Sequence, residues 1–157
     1  MSSPQKILFA TNYSELSSEA LEVATQLARA KSALLMIVHV SELEPFPVGE
    51  SVRVDASPDP NELQRLQTVL PTDTSVNYEH HLLYGEAGSA EITQPAKVIV
   101  EFAKDQDVDM IVVATHGRRG LAYLLMGDVA EDIIRTAPCP VVAVRHHVEQ
   151  EAMLARS

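Results

Sequence analysis

Four short apolar runs, at residues 6–10, 33–40, 110–114 and 141–144, and a mixed stretch at 76–84 that also reads as a strand punctuate this chain, and most of them break abruptly into a polar turn. Runs of this length without a polar alternation are the mark of strands buried on both faces. The stretches between them change period. Ala20, Leu21, Ala24, Leu27 and Ala28 repeat at helical spacing, as do Val98, Ile99, Phe102 and Ala103. Strand, helix, strand in succession demands parallel pairing with right-handed crossovers. The pattern β-α-β-α-β-α-β-α-β therefore predicts an α/β protein: one open parallel sheet of five strands with helices on both faces.

Local signals set the element ends. Ser14 and Ser17 are both available to cap the first helix, with Glu15, Glu19 and Glu22 near its positive end. A helix is expected over 61–70, with Leu63, Leu66 and Leu70 turned inward and Glu62, Gln64, Arg65 and Gln67 turned to water. Before it, Ser41 to Pro60 carries Pro45, Pro47, Pro58 and Pro60 and reads as a mobile loop. A polar connection is expected from Gly85 to Gln94, and Pro95 suits the first turn of the helix after it. After Gly127, Asp128 and Glu131 stand at capping-box spacing, and Val129, Ala130, Ile133 and Ile134 are expected on the buried side. With no repeat and no linker, the chain reads as a single domain over 1–157, of which 146–157 is a polar tail.

Composition excludes several classes of function. The net charge of −10 argues against nucleic acid or an anionic membrane as partner, since both need a basic face. No apolar run approaches the roughly 20 residues of a membrane span. The start has no charged-then-apolar export layout, and a single cysteine allows no internal disulfide, so a cytoplasmic location is expected.

Functional-looking residues gather at two strand ends. Thr11-Asn12 follows the first strand, and Thr115-His116-Gly117-Arg118-Arg119-Gly120 follows the fourth. Gly127 then precedes a new helix. Permissive backbone around one strand end suits an anion cradle. In open parallel sheets the ligand crevice lies at such C-terminal strand ends, where the strand order reverses.

These residues resemble the universal stress protein (UspA-like) family. The opening 6–15, Lys-Ile-Leu-Phe-Ala-Thr-Asn-Tyr-Ser-Glu, is similar to that family's first strand and turn, and 114–121, 124–131 and 137–141 look like its C-terminal block. The resemblance implies a Rossmann-like sheet of the adenine nucleotide alpha-hydrolase type, ordered 3-2-1-4-5. It also implies a homodimer through the last strand, Val141, Val142, Ala143 and Val144, and in one branch an ATP or AMP site. Carried over by position, Thr11, Asn12 and Val40 would border the adenosine. Ala114, Gly117, Gly127, Asp128 and Val129 would border the phosphates, with His116 and Arg118 in the same nucleotide site, Arg118 either reaching a phosphate or standing as a solvated loop charge.

Three positions depart from the nucleotide-binding pattern, in which a glycine, a hydroxyl residue and an acid stand where this chain has Ala114, Asp128 and Asn12. Ala114 adds a methyl, which matters where the backbone needs a positive φ or a very close ligand. Asn12 still bonds a ribose hydroxyl, but its NH₂ cannot accept as a carboxylate does. Asp128 places a carboxylate at the helix end where a phosphate would sit. At about 4 Å and an effective dielectric near 20, that repulsion costs roughly 4 kcal/mol. Mg²⁺ bridging Asp128 and the phosphates would relieve it. The expectation is a stress-response homodimer acting through protein contacts, its partner protein unknown, with a weakened nucleotide site. The alternative is an ATP or AMP sensor, metal-assisted.

Catalytic signatures are absent: no Gly-x-x-x-x-Gly-Lys loop, no His-Glu-x-x-His and no Gly-x-Ser-x-Gly. No enzyme activity and no resident metal are expected. His80 and His81 are neighbours in a strand and point to opposite faces, so they cannot chelate together. His39 reads as a hydrogen-bonded, partly buried strand residue, and Cys139 as packing between two prolines.

Overall fold

A computed structural model of the chain describes residues 5–13, 15–41, 60–84, 95–115 and 129–145. The elements run β1 (Lys6–Ala10), α1 (Glu15–Lys31), β2 (Leu34–Val40), α2 (Pro60–Gln67), β3 (Tyr78–Leu83), α3 (Pro95–Asp105), β4 (Met110–Thr115), α4 (Val129–Thr136) and β5 (Val141–Arg145). All strand pairs are parallel, in the order β3-β2-β1-β4-β5. This is the doubly wound order that the resemblance implies. The expected loop within 42–59, the connection 85–94, the tail 146–157, Ser14, His116, Gly117, Arg118, Gly127 and Asp128 lie outside the described residues.

Strand alternation divides the core into two layers. Ile7, Phe9, Leu35, Ile37 and Val112 face α1 and α2, where Ala20, Ala24, Ala28 and Leu66 meet them. Leu8, Met36, Val38, Ile111 and Val113 face α3 and α4, against Ile99, Val100, Ala103, Ala130 and Ile133. The alanine stripe of α1 lets that helix approach the sheet closely. Buried on both sides, the central strands need the unbroken apolar runs seen in the sequence.

Some inward and outward assignments differ from expectation. α2 ends at Gln67, so Leu70 lies beyond it and is 48% exposed. Its carboxyl end is closed instead by turn bonds from Thr68 N to Arg65 O and Val69 N to Leu66 O. On α4, Ile133 is fully buried whereas Ile134 is 52% exposed. Successive helical residues stand about 100° apart, and a helix of eight residues lying over β4 and β5 covers only one of the two. Ser17 is inside α1 rather than at its start, and its hydroxyl bonds to Asn12. Glu62, expected in water, is half-buried, while Arg65 is exposed as expected; both engage the sheet end described below.

The opposite end of the sheet is tied by long-range bonds. Lys6 N donates to Asp109 Oδ2 at 2.8 Å, and Lys6 Nζ donates to the Gln106 carbonyl at 2.9 Å. Cys139 is half-buried against the α3/α4 layer, where burial first and the Asp109 charge second push its thiol pKa up. A raised thiol is a poor nucleophile, in keeping with a packing role.

Candidate functional site

The crevice at the top of the sheet follows from where pairing stops. β1 and β4 pair at Ile7–Met110, Leu8–Ile111 and Phe9–Val112, and no further. β1 continues with β2 to Ala10–Val38, and Thr11 N adds one more bond to Val38 O at 2.9 Å. β4 continues with β5 to Thr115–Arg145. Two central strands that each stay with an outer neighbour while parting from one another open a cleft between their ends. Ala10, Thr11 and Asn12 stand on one lip and Val113, Ala114 and Thr115 on the other.

The β1 lip is firmly held. Thr11 is buried, and each of its polar groups is engaged. Its N–H bonds β2, its Oγ1 accepts from Tyr13 N at 3.0 Å, and its carbonyl accepts from His39 Nδ1 at 2.7 Å. A carbonyl only accepts, so Nδ1 carries the proton and the tautomer is fixed. His39 is 8% exposed and hydrogen-bonded, as expected of it. Asn12 is exposed at the rim, and Ser17 Oγ donates to its Oδ1 at 2.8 Å, while Asn12 N approaches the same hydroxyl at 3.3 Å. The side chain at the family's ribose position is thus already bonded to its own helix.

On the β4 lip, Ala114 continues the strand in register with Val144 and packs toward the α1 layer. Positive φ among the described non-glycine residues is confined to Tyr13, Ser32 and Asp107. Ala114 therefore does not occupy a glycine-demanding conformation, and its methyl is tolerated by the backbone. Val40 closes the β2 end, with its side chain in the α3/α4 layer, and Val129 packs partly buried against that layer. The fold brings Thr11, Asn12, Val40, Ala114 and Val129 to one end of the sheet. His116, Gly117, Arg118, Gly127 and Asp128 lie outside the described residues.

Sequence reasoning overlooked a cluster beside the β1 lip. Tyr13 has φ 66°, a left-handed backbone that costs a bulky residue about 1–2 kcal/mol. Its ring centre lies 4.3 Å from that of His39, and the Arg65 guanidinium carbon lies 4.1 Å from it. Such contacts are worth about 0.5–1.5 kcal/mol each, enough to offset the backbone cost. Ser41 Oγ donates to Glu62 Oε2 at 2.6 Å, so α2 is pinned to the β2 end as well as to Tyr13. The Tyr13 hydroxyl is buried without a hydrogen-bond partner among the described residues. Burial raises its pKa most, with Arg65 opposing and Glu62 adding to the rise. The signal in the sequence was a large aromatic residue in a turn of otherwise small polar ones.

The two adjacent histidines of β3 are placed as expected. His80 Nε2 pairs with the Val69 carbonyl while His81 rests on the Phe102 ring of α3, on opposite faces of β3. Among the described residues no group of three or more His, Cys, Asp or Glu side chains could hold a metal ion. Nor is any helix among them long and apolar enough to cross a membrane.

A parallel sheet parted between its first and fourth strands, with a polar turn on the lip, defines a doubly wound α/β protein. The chain belongs to the universal stress protein family, whose family model matches residues 4–145. It is 30% identical over 148 residues to a universal stress protein of Methanocaldococcus jannaschii, covering 90% of this chain and 82% of that one. Among solved structures it is similar to a universal stress protein in complex with cAMP, with TM-score 0.66 and 24% identity over 92% of this chain and 99% of that one. It is also similar to the Archaeoglobus fulgidus universal stress protein in complex with dAMP, with TM-score 0.59 and 20% identity over 92% of this chain and all (100%) of the other.

Proposed function

We propose that the protein is a stress-response homodimer whose crevice takes an adenine nucleotide weakly, a monophosphate ahead of metal-free ATP. The observation that carries this is the Ser17–Asn12 hydrogen bond at 2.8 Å beside the parted β1 and β4 ends. The cleft favours a nucleotide, while the group that would meet the ribose must first give up or share an internal bond. The cAMP and dAMP complexes of similar proteins support the choice of an adenine monophosphate. Asp128, by the resemblance at the phosphate end, repels each added phosphate charge, which ranks AMP above ATP unless Mg²⁺ intervenes. No turnover is proposed, since among the described lip residues none supplies a base next to a nucleophile.

Calorimetry with AMP, ATP plus EDTA and ATP plus Mg²⁺ tests the ranking. The expected order of affinity is AMP, then Mg-ATP, then free ATP. Low-micromolar binding of free ATP overturns it. Mass spectrometry of the purified, denatured protein for retained adenine nucleotide gives an independent reading, with little or none expected.

The exposure of Ile134 on α4, beside the edge strand β5, favours the dimer half of the reading. Among the described residues β5 is the edge strand of the sheet and offers its apolar residues to a second copy, and edge-to-edge pairing is a common route to a two-fold assembly. Light scattering at micromolar concentration is expected to give twice the chain mass, and a stable monomer refutes it.

A further inference from the structure

The ring of Tyr13 links three elements that meet at the β1 lip of the crevice. It contacts His39 at the end of β2 and Arg65 on α2, and its own backbone directly follows Asn12 on the crevice lip. Two features of Tyr13 work against its present position: a left-handed φ of 66° and a buried hydroxyl with no partner among the described residues. A side chain held against two such costs is held by its ring contacts. If those contacts weaken, the turn has reason to relax, and Asn12 moves with it.

We propose that Tyr13 is the positioning residue of the crevice, and that α2, through Arg65 resting on the Tyr13 ring, controls how well Asn12 is presented to a nucleotide. The functional half of this rests on the nucleotide reading above; the coupling of Arg65 to the turn does not. Neither Tyr13 nor Arg65 is a position that the family resemblance assigns to the nucleotide. The link is physical: the cation–π contact adds to the ring-in state only, so it shifts the balance between ring-in and ring-out arrangements. The two variants at Tyr13 and Arg65 carry opposite signs. Tyr13→Phe keeps the ring and deletes the orphaned hydroxyl, favouring the held turn. Arg65→Met keeps the helix and the stem while deleting the charge, releasing it.

The experiment has two independent readouts. In the ligand-free protein, hydrogen exchange at the Asn12 and Tyr13 amides, bonded to Ser17 Oγ and Thr11 Oγ1, reports the turn itself. Arg65→Met is expected to speed both by about fivefold or more, Arg65→Lys to restore most of the protection, and Tyr13→Phe to slow both. The core amides of Leu35 and Ile111, bonded to Asn77 and Pro140 carbonyls, serve as the control and should not change. With AMP as the probe, Arg65→Met is expected to weaken binding by a similar factor and Tyr13→Phe to preserve or improve it. Unchanged exchange at Asn12 and Tyr13 in Arg65→Met overturns the proposal whatever AMP does. Faster exchange with unchanged AMP affinity overturns the control of binding. Wild-type protein that does not bind AMP refutes the nucleotide reading, and the exchange data still decide the coupling.

Discussion

Ser17 donates its hydroxyl to the side-chain oxygen of Asn12 across 2.8 Å, tying the rim of the crevice to the first turn of α1. Removing the hydroxyl frees the solvent-facing Asn12 Oδ1 and also takes from Asn12 N its acceptor at 3.3 Å. Ser17→Ala is expected to tighten AMP several-fold in calorimetry while lowering stability by about 1 kcal/mol. Asn12→Asp should also tighten AMP, because a carboxylate accepts from Ser17 and a ribose hydroxyl together.

The position that the family resemblance implies for Asp128 predicts a charge-dependent gain. Asp128→Ser should strengthen metal-free ATP by at least about tenfold, and AMP by less, since fewer charges meet the carboxylate. Calorimetry in EDTA measures both. Equal gains for the two nucleotides would show that Asp128 acts otherwise than by charge.

The raised pKa of Tyr13 makes stability fall at alkaline pH. Above the ordinary tyrosine value of about 10 the unfolded chain releases the phenolic proton, whereas the folded chain keeps it to a higher pH. The unfolded state then binds fewer protons, so unfolding becomes easier as pH rises through that window. Denaturant midpoints measured from pH 9 to 11 should decline less steeply in Tyr13→Phe. Absorbance at the phenolate band should show one of the four tyrosines titrating late.

The neighbours Ile133 and Ile134 should behave oppositely. Ile133→Ala removes fully buried volume and is expected to cost about 2–5 kcal/mol in urea unfolding at high protein concentration. Ile134→Ala should cost the isolated chain about 0.5 kcal/mol or less. If β5 and α4 form the dimer face, Ile134→Asp lowers the light-scattering mass without unfolding the protein.

The Cys139 thiol should react slowly. Burial and the Asp109 charge both disfavour the thiolate. Labelling with an aromatic disulfide reagent at pH 8 is expected to be at least about tenfold slower in the native than in the urea-unfolded protein. Equal rates would remove the packing role.

The strands were the most legible part of the sequence, and for one reason. Ile7 to Phe9, Leu35 to Val38 and Ile111 to Val113 are buried on both faces, so each run is apolar throughout and its ends are sharp. The order of the strands came from the resemblance, because periodicity says nothing about which edge a crossover takes. Helical period located α1 and α3 but misjudged Leu70 and Ile134. A stripe marks residues near the sheet without saying where the last turn stops or which of two adjacent isoleucines the sheet covers. The site was legible as positions, Thr11, Asn12, Val40 and Ala114 gathering at one sheet end. Its wiring was not. That Ser17 would bond Asn12, and Arg65 would lie on Tyr13, depends on how α1 and α2 sit over the turn, and no local pattern encodes such a contact.

β1 occupies the middle of the sheet, yet its partner on one side, β4, is made about a hundred residues later: Lys6 meets Asp109 across a separation of 103. At synthesis rates of about 5–20 residues per second, the emerging chain carries β1 with one open edge for roughly 5–20 s. Through that interval an apolar strand stands ready to pair with whatever it meets. The gap between β1 and β4 that makes the crevice cannot form until β4 has been made, and the seam between β4 and β5 closes later still. The chain therefore passes through an aggregation-exposed stage before its crevice exists.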